Sequence, residues 1–422
     1  MNPKKFYLLI GTAIVALIAA YWINSSNKPQ SDVSAQDKTL LPQLHDHVND
    51  VNAITLTGAG DKVLVTLKRG ANDWVVANKS DYPANLAKIR ELLIKLDQAT
   101  ILERKTSDPK LYAKLGVDDV KNADAKGVRV ELTGLPKPLE FIIGNYNGGG
   151  GGGTFVRMVG DKQSWLASGT LTVAKKASQW EDLSLVDIPS SRFRSIELTD
   201  AHGKTLKVYK DAEGDANFKV ADVPKGREIS SEYAPNELAS VLASLNAEDA
   251  NPAKSMPAPD ETIKAQYDAF DGLVINAVGW EKDGKDYAQF SAKLDNKVAA
   301  DHIDAEQAKA KAAYQADVAA ADKKVAEEKS TTGKQAKSNA SAASEVTQAK
   351  PLAVSDPSKD RQQKLDALNK EIATLNKKFN GWTFTLPTYK YTNMSKTMDD
   401  MLKPLPSKKS KHHAHKTKKA RK

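Results

Sequence analysis

Ile54-Thr55-Leu56-Thr57 returns 142 residues later as Ile196-Glu197-Leu198-Thr199. Both pieces alternate apolar and polar residues, the mark of a strand with one buried face. The segments downstream of each copy match in order. Residues 64–69 have a counterpart in 206–211, and residues 73–76 in 217–220. Asn85-Leu86 opens a helix with Ile89, Leu92, Leu93 and Leu96 on one side. Asn236-Glu237-Leu238 opens another, with Val241, Leu242 and Leu245 along it. Residues 128–132 then correspond to 273–277. Residues 139–143, 155–156 and 165–166 add further hairpin strands to the first copy. Five elements in one order predict two tandem repeated modules of α+β class, each an antiparallel sheet plus a helix. Two unrelated modules of the same class are the alternative. The expected limits are 49–190 for the first, and 191–298 continued by 380–406 for the second.

The second module is interrupted. Residues 298–330 are rich in Ala, Lys, Glu and Asp, and Tyr314, Val318, Ala321 and Val325 recur at steps of four, three and four. Residues 330–357 are low in complexity and too poor in apolar side chains to pack. Leu365, Leu368, Ile372, Leu375 and Phe379 then recur at three and four, a coiled-coil seam over about two heptads. Residues 299–379 thus predict an inserted antiparallel helical hairpin with a disordered tip and arms of about 30–45 Å. Strand pattern resumes at 382–386 and 388–391, and a short helix is expected near 396–402. Helical arms of this composition are marginal alone. Tyr314, Val318, Val325, Leu365, Leu368, Ile372 and Leu375 are therefore the expected contact surface for a protein partner.

Residues 6–23 carry no charge and are mostly aliphatic. As a helix they span ~27 Å, against a hydrocarbon core of about 30 Å. Lys4 and Lys5 precede them, and Tyr21 and Trp22 lie at the far end. This predicts an N-terminal transmembrane signal anchor at 1–25, with the N-terminus cytoplasmic and the bulk exported. A cleaved signal, whose apolar region is normally shorter, is the alternative. Residues 26–48 read as a linker. Cysteine is absent, which excludes disulfides, thiolate metal sites and a thiol nucleophile.

The other terminus is a basic tail, 407–422. It holds Lys408, Lys409, Lys411, Lys416, Lys418, Lys419, Arg421 and Lys422, and no acid. The whole chain has 62 basic and 53 acidic residues, so without these eight the balance is 54 against 53. The positive charge is a property of the tail and does not argue for a nucleic-acid-binding domain. The tail predicts salt-sensitive binding to an anionic envelope polymer or lipid. It has no aromatic residue to stack on bases, so no sequence-specific nucleic acid is expected.

No constellation of catalytic residues emerges. The glycine run at 148–153 is followed by no Lys-Ser or Lys-Thr and reads as a flexible hairpin loop, not a phosphate loop. His45-Asp46-His47 with Asp50 lacks a third fixed ligand, and His412, His413 and His415 lie in the tail. Asp118-Asp119, Asp182, Asp187 and Asp399-Asp400 form no recognisable acid–base pair, and there is no nucleophile elbow. No metal or cofactor is expected, and the chain reads as a non-enzyme. Trp74, Trp165, Trp180, Trp280 and Trp382 are expected as core anchors, with a carbohydrate platform as the alternative.

Several short pieces carry a resemblance. They are Leu41-Pro42 with Leu44, residues 51–56, Asp81-Tyr82-Pro83-Ala84-Asn85, Leu115-Gly116-Val117, Ile143-Gly144, Phe155-Val156-Arg157, Trp180-Glu181-Asp182 and Leu185-Val186-Asp187-Ile188. In this order they resemble an uncharacterised exported bacterial family, domain of unknown function 4340, over most of residues 40–295 and 380–405. The resemblance implies tandem α+β modules behind one transmembrane helix. It also implies association with ABC-type transporter components like those of gliding-motility systems. It assigns no catalytic residue, and the helical insertion, glycine run and basic tail depart from its pattern. The expected function is a non-catalytic scaffold or accessory protein, anchored in a bacterial inner membrane with its bulk periplasmic, that docks a partner such as transporter subunits. Binding of an anionic polymer or lipid through the tail is the alternative, and a hydrolase with an unrecognised site a remote one.

Overall fold

The structure, a computed structural model, describes residues 38–70, 73–149, 152–331 and 350–404, with the backbone alone for 325–331. The expected anchor at residues 6–23 and the basic tail lie outside the described residues. Among the described residues, no helix is long and apolar enough to cross a membrane. The fold is mixed α+β with antiparallel sheets. The chain divides into two units, residues 1–181 and 182–422.

The first unit holds β1 (Ala53–Gly58), β2 (Lys62–Arg69), β3 (Trp74–Val76), β4 (Tyr82–Pro83), β5 (Ile101–Arg104), β6 (Val128–Thr133), β7 (Leu139–Tyr146), β8 (Thr154–Met158) and β9 (Ser164–Ala167). They form one sheet in the order β4-β3-β2-β1-β6-β7-β8-β9-β5. Alternation puts Ile54, Leu56, Val65, Leu67, Val130, Leu132 and Phe141 in the core. There they share a cluster with Ile89, Leu92, Leu93 and Leu96, the buried side of helix α1 (Leu86–Asp97). Each such side chain contributes about 1.5–3 kcal/mol on full burial. Asn85 caps α1 by accepting from the Lys88 amide at 3.1 Å. Val63 departs from the alternation and is 51% exposed. The register shifts between Leu56 and Thr57, opposite this stretch of β2, and such a shift re-aims the local side chains.

The second unit holds β10 (Ser184–Val186), β11 (Phe193–Thr199), β12 (Thr205–Tyr209), β13 (Lys219–Val220), β14 (Leu245–Asn246), β15 (Asp249–Pro252), β16 (Ile263–Ala269), β17 (Leu273–Lys282), β18 (Lys285–Leu294) and β19 (Trp382–Leu386). The main sheet runs β13-β12-β11-β16-β17-β18-β19-β15, and β10 pairs with β14. Its core includes Ile196, Leu198, Val208, Tyr267, Ile275, Phe290 and Phe384. Counted outward from β1 and β11, the two sheets have the same strand order, save that β4 has no counterpart in the second. The long helical insertion lies between β18 and β19, where the first unit has only the short β8–β9 turn.

Four expectations are corrected. The strand in the place of β6 is β16, not residues 273–277, which lie in β17. In β16 the inward positions include Ala265 and Ala269, so its period is weak in apolar contrast. The second helix, α2 (Ala234–Ala239), is short, and Asn236 lies inside it rather than at its cap. Instead Asn236 Oδ1 accepts from the Phe218 amide, and its Nδ2 donates to Asn217. Leu245 is in β14, because the chain turns at Ser244, left-handed at φ 46° and fixed by Asp187 Oδ1. Residues 388–391 are helical, within α5 (Thr388–Met394), which follows the two long helices of the insertion, α3 (Asn296–Thr331) and α4 (Pro357–Phe379). There Lys390 and Met394, one turn apart, are both buried, and Lys390 Nζ donates to Ser240 O and Ala243 O at 2.8 and 2.7 Å. That burial overrides the strand propensity of Thr388, Tyr389 and Tyr391.

Candidate functional site

The insertion consists of α3 (Asn296–Thr331), a short turn of helix at Leu352–Ser355, and α4 (Pro357–Phe379). Thirty-six residues make α3 about 54 Å long. Among its described side chains, packing is confined to its base. Ala299 and Ile303 are buried. Gln307 Nε2 donates to Pro357 O and to Asp360 Oδ2, both at 2.8 Å. Lys364 pairs with Glu306 at 2.8 Å, and Arg361 with Asp304. Asn376 lies beside Ala292, just before α3, and residues 357–364 lie beside 304–307 further along it, so the two helices run antiparallel. Beyond it, residues 315–324 are exposed throughout.

The other end of α4 belongs to the sheet. Leu375 and Phe379 are buried, and the Phe379 ring lies 5.5 Å from that of Phe290 on β18. β18 pairs with β19 only over Asp286–Ala288. Further along, the Asn376 amide takes the place of a strand neighbour. Its Oδ1 accepts from Ala292 N and its Nδ2 donates to Ala292 O, both at 2.8 Å. Arg192 adds a clamp. It donates to Asp271 at 2.8 Å and to both Glu371 oxygens at 2.7 and 2.9 Å.

The expected partner-contact residues are thereby sorted. Val318 is 43% exposed and Tyr314 half-buried on the arm. Leu365, Leu368 and Ile372 are half-buried. Leu375 is committed to the unit's own core. The Val325 side chain and the tail cations Lys408, Lys409, Lys411, Lys416, Lys418, Lys419, Arg421 and Lys422 lie outside the described residues. Sequence reasoning misses Arg192, Asn376 and Asp360. Only the favourable Asp-Pro start of α4 points near one of them, since Asp356 caps that helix.

Hydrogen bonds from Gln307 and Lys364 hold the Asp360 carboxyl below its ordinary value of 3.8. A carboxylate with a depressed folded pKa stabilises the fold above the unfolded value, and the benefit is lost as pH falls through the folded one. Urea midpoints of the native chain and Asp360→Asn should therefore differ above about pH 4 and converge at lower pH. Parallel curves down to pH 2 would show that Asp360 is not held this way.

The pieces that carry the resemblance meet one another in two places. Ala84 bridges to Glu181, and the Asn85 amide donates to Trp180 O at 2.6 Å. The Glu181 carboxylate is buried, with Lys79 Nζ at 3.5 Å. Between Lys79 and these contacts, Ser80 and Asp81 are both left-handed. In the second place, Leu115-Gly116-Val117 lies against Gly127 and Gly144, and Arg157 Nε donates to Val117 O at 2.8 Å. The buried Arg157 also lies over the Tyr112 ring. These contacts brace the first unit.

Several of the remaining candidate residues have side-chain partners, whereas Asp118 Oδ1 is buried without a hydrogen-bond partner among the described residues. His45 bonds to Asp97 and His47 to Asp50, so the two imidazoles serve different carboxylates. Asp400 closes a capping box with Thr397. Trp74, Trp180 and Trp280 are buried, and Trp165 and Trp382 half-buried. Among the described residues there is no group of three or more side chains placed to hold a metal.

Residues 74–266 match the family described as a domain of unknown function (DUF4340). The match begins at β3 and ends within β16, so it takes in parts of both units. No curated protein and no solved structure matches the chain.

Proposed function

We propose, from a chain whose residues 74–266 match DUF4340, a non-catalytic scaffold that docks a partner with the arm of α3. The exposure of residues 315–324, beyond a base fixed by Gln307 and Asp360, carries this reading. A long helix with residues 315–324 in water gains by packing them on another surface. The apolar segment at residues 6–23 supports anchoring in a bacterial inner membrane with both units periplasmic. The family resemblance supports ABC-type transporter subunits as the partner. The shared sheet order supports two modules descended from one by duplication.

The test is affinity purification of the detergent-solubilised full-length chain from its own cells. Alongside goes a variant in which residues 311–349 are replaced by a short Gly-Ser linker. This keeps the packed base and α4, which a deletion of the whole insertion would destroy. Transporter subunits recovered with the full chain and lost from the variant are the expected outcome. The same proteins recovered with both would sink the docking arm. Envelope polymer or anionic lipid in place of protein would favour the second reading, binding through Lys408–Lys422, which the tail's composition supports.

A further inference from the structure

A cavity of about 600 Å³ opens in the second unit, beside the ends of β11, β12 and β16 and the first turns of α3. Ser195, Lys207, Asp268 and His302 are among its lining residues, with Arg194 and Lys210. Most of its charges have partners in the protein. Lys207 faces Glu197 at 3.9 Å, Asp211 is paired with Lys219, Asp301 with Lys297, and His302 with Glu306 at 3.5 Å.

Three charges are left over. Lys210 is 8% exposed, and its ammonium lies 4.8 Å from the centre of the Phe218 ring, with no hydrogen bond or ion pair among the described residues. Arg194 has a buried Nε without a hydrogen-bond partner among the described residues. Among the described residues Asp268 receives only neutral donors, Ser195 Oγ and Gln266 Nε2, both at 2.9 Å. A buried cation without an anion is costly, and a ligand that supplies one offsets the cost.

The sheet sets their spacing. Lys210 N donates to Arg194 O, and Ser195 pairs with Asp268 across the next ladder. With strands about 4.8 Å apart, the backbone places Arg194 between Lys210 on one side and Asp268 on the other. We infer that this cavity binds a small zwitterion, its oxyanion held by Arg194 and Lys210 and its ammonium by Asp268. A phospholipid headgroup and an amino acid or peptide terminus share this chemistry.

Calorimetric titration of the detergent-solubilised full-length chain with O-phosphoethanolamine, alanyl-alanine and inorganic phosphate tests the inference and separates the two sources. At least one zwitterion should bind one to one and at least tenfold more tightly than phosphate. Phosphoethanolamine alone would assign a headgroup, and the dipeptide alone a peptide terminus. Arg194→Met and Lys210→Met should each weaken binding at least tenfold. Asp268→Asn should bring the zwitterion down to the affinity of phosphate while leaving phosphate unchanged. Thermal unfolding of each variant reports its fold, and should Arg194→Met not fold, the split in Asp268→Asn decides alone. No saturable heat from any probe, phosphate bound as tightly as the zwitterions, or binding unaltered in Asp268→Asn would overturn it.

Discussion

Gly127→Ala is expected to destabilise the first unit by about 3 kcal/mol or more. A Cβ at Gly127 would lie 2.3 Å from Gly116 O, 2.8 Å from an Ile142 methyl and 3.0 Å from Ile143 O. Two of the three are backbone carbonyls, which cannot swing aside as a side chain can. The backbone at Gly127 is not left-handed, so the cost is one of space. Gly160→Ala is the control. Gly160 is left-handed at φ 87° with open space around it, and its replacement should cost about 1–2 kcal/mol. Chemical denaturation followed by amide exchange in β6 and β7 would measure both. A Gly127→Ala chain as stable as the native one would mean that Leu115-Gly116-Val117 is not seated on this hairpin.

Phe379→Ala should cost about 3–5 kcal/mol. Phe379 is 1% exposed and contacts Phe290, which in turn lies 6.2 Å from Phe384 on β19. Truncation removes a ring from the end of that stack and leaves a cavity bounded by a helix and two strands. Val318→Ala, on the exposed arm of the same insertion, should change stability by less than about 0.5 kcal/mol. Denaturant midpoints of the two variants would place the boundary between insertion and core. Equal midpoints would mean that α4 is as dispensable as the arm.

The readable part of the fold is the part written in local periodicity. β1, β2, β6 and β7 each bury one face, so alternate residues announce them, and the same is true of α1 with its Asn85 cap. β16 escapes the pattern because two of its inward residues are alanine. α5 reads as a strand because Pro387 and a buried Lys390 decide its state, not the aromatic residues around them. The supports of the insertion are illegible for another reason. Asn376 meets Ala292 across 84 residues, and Arg192 meets Glu371 across 179. Neither pairing has a local signature, and a polar residue on α4 looks the same in sequence whether it faces water or closes a strand edge. The cavity residues Arg194, Lys210 and Asp268 are equally hidden, since three strands must lie side by side before they come together.

The way the arm is fastened has a mechanical consequence. α3 leaves β18 through one residue, Asp295, and α4 returns to that strand through the Asn376 bond to Ala292 and the Phe379 contact. β18 is an interior strand, paired with β17 over its full ten residues and with β19 on its other side. A tug on the arm is thus delivered to the middle of the sheet. It is resisted by the ladder to β17 along the whole strand and, at the attached end where β19 no longer pairs, by the Asn376 bonds to Ala292. Arg192 spreads part of the same load to the start of β11 through Glu371. Under the docking role proposed above, a pull on the arm would enter the sheet of the unit that carries it at an interior strand.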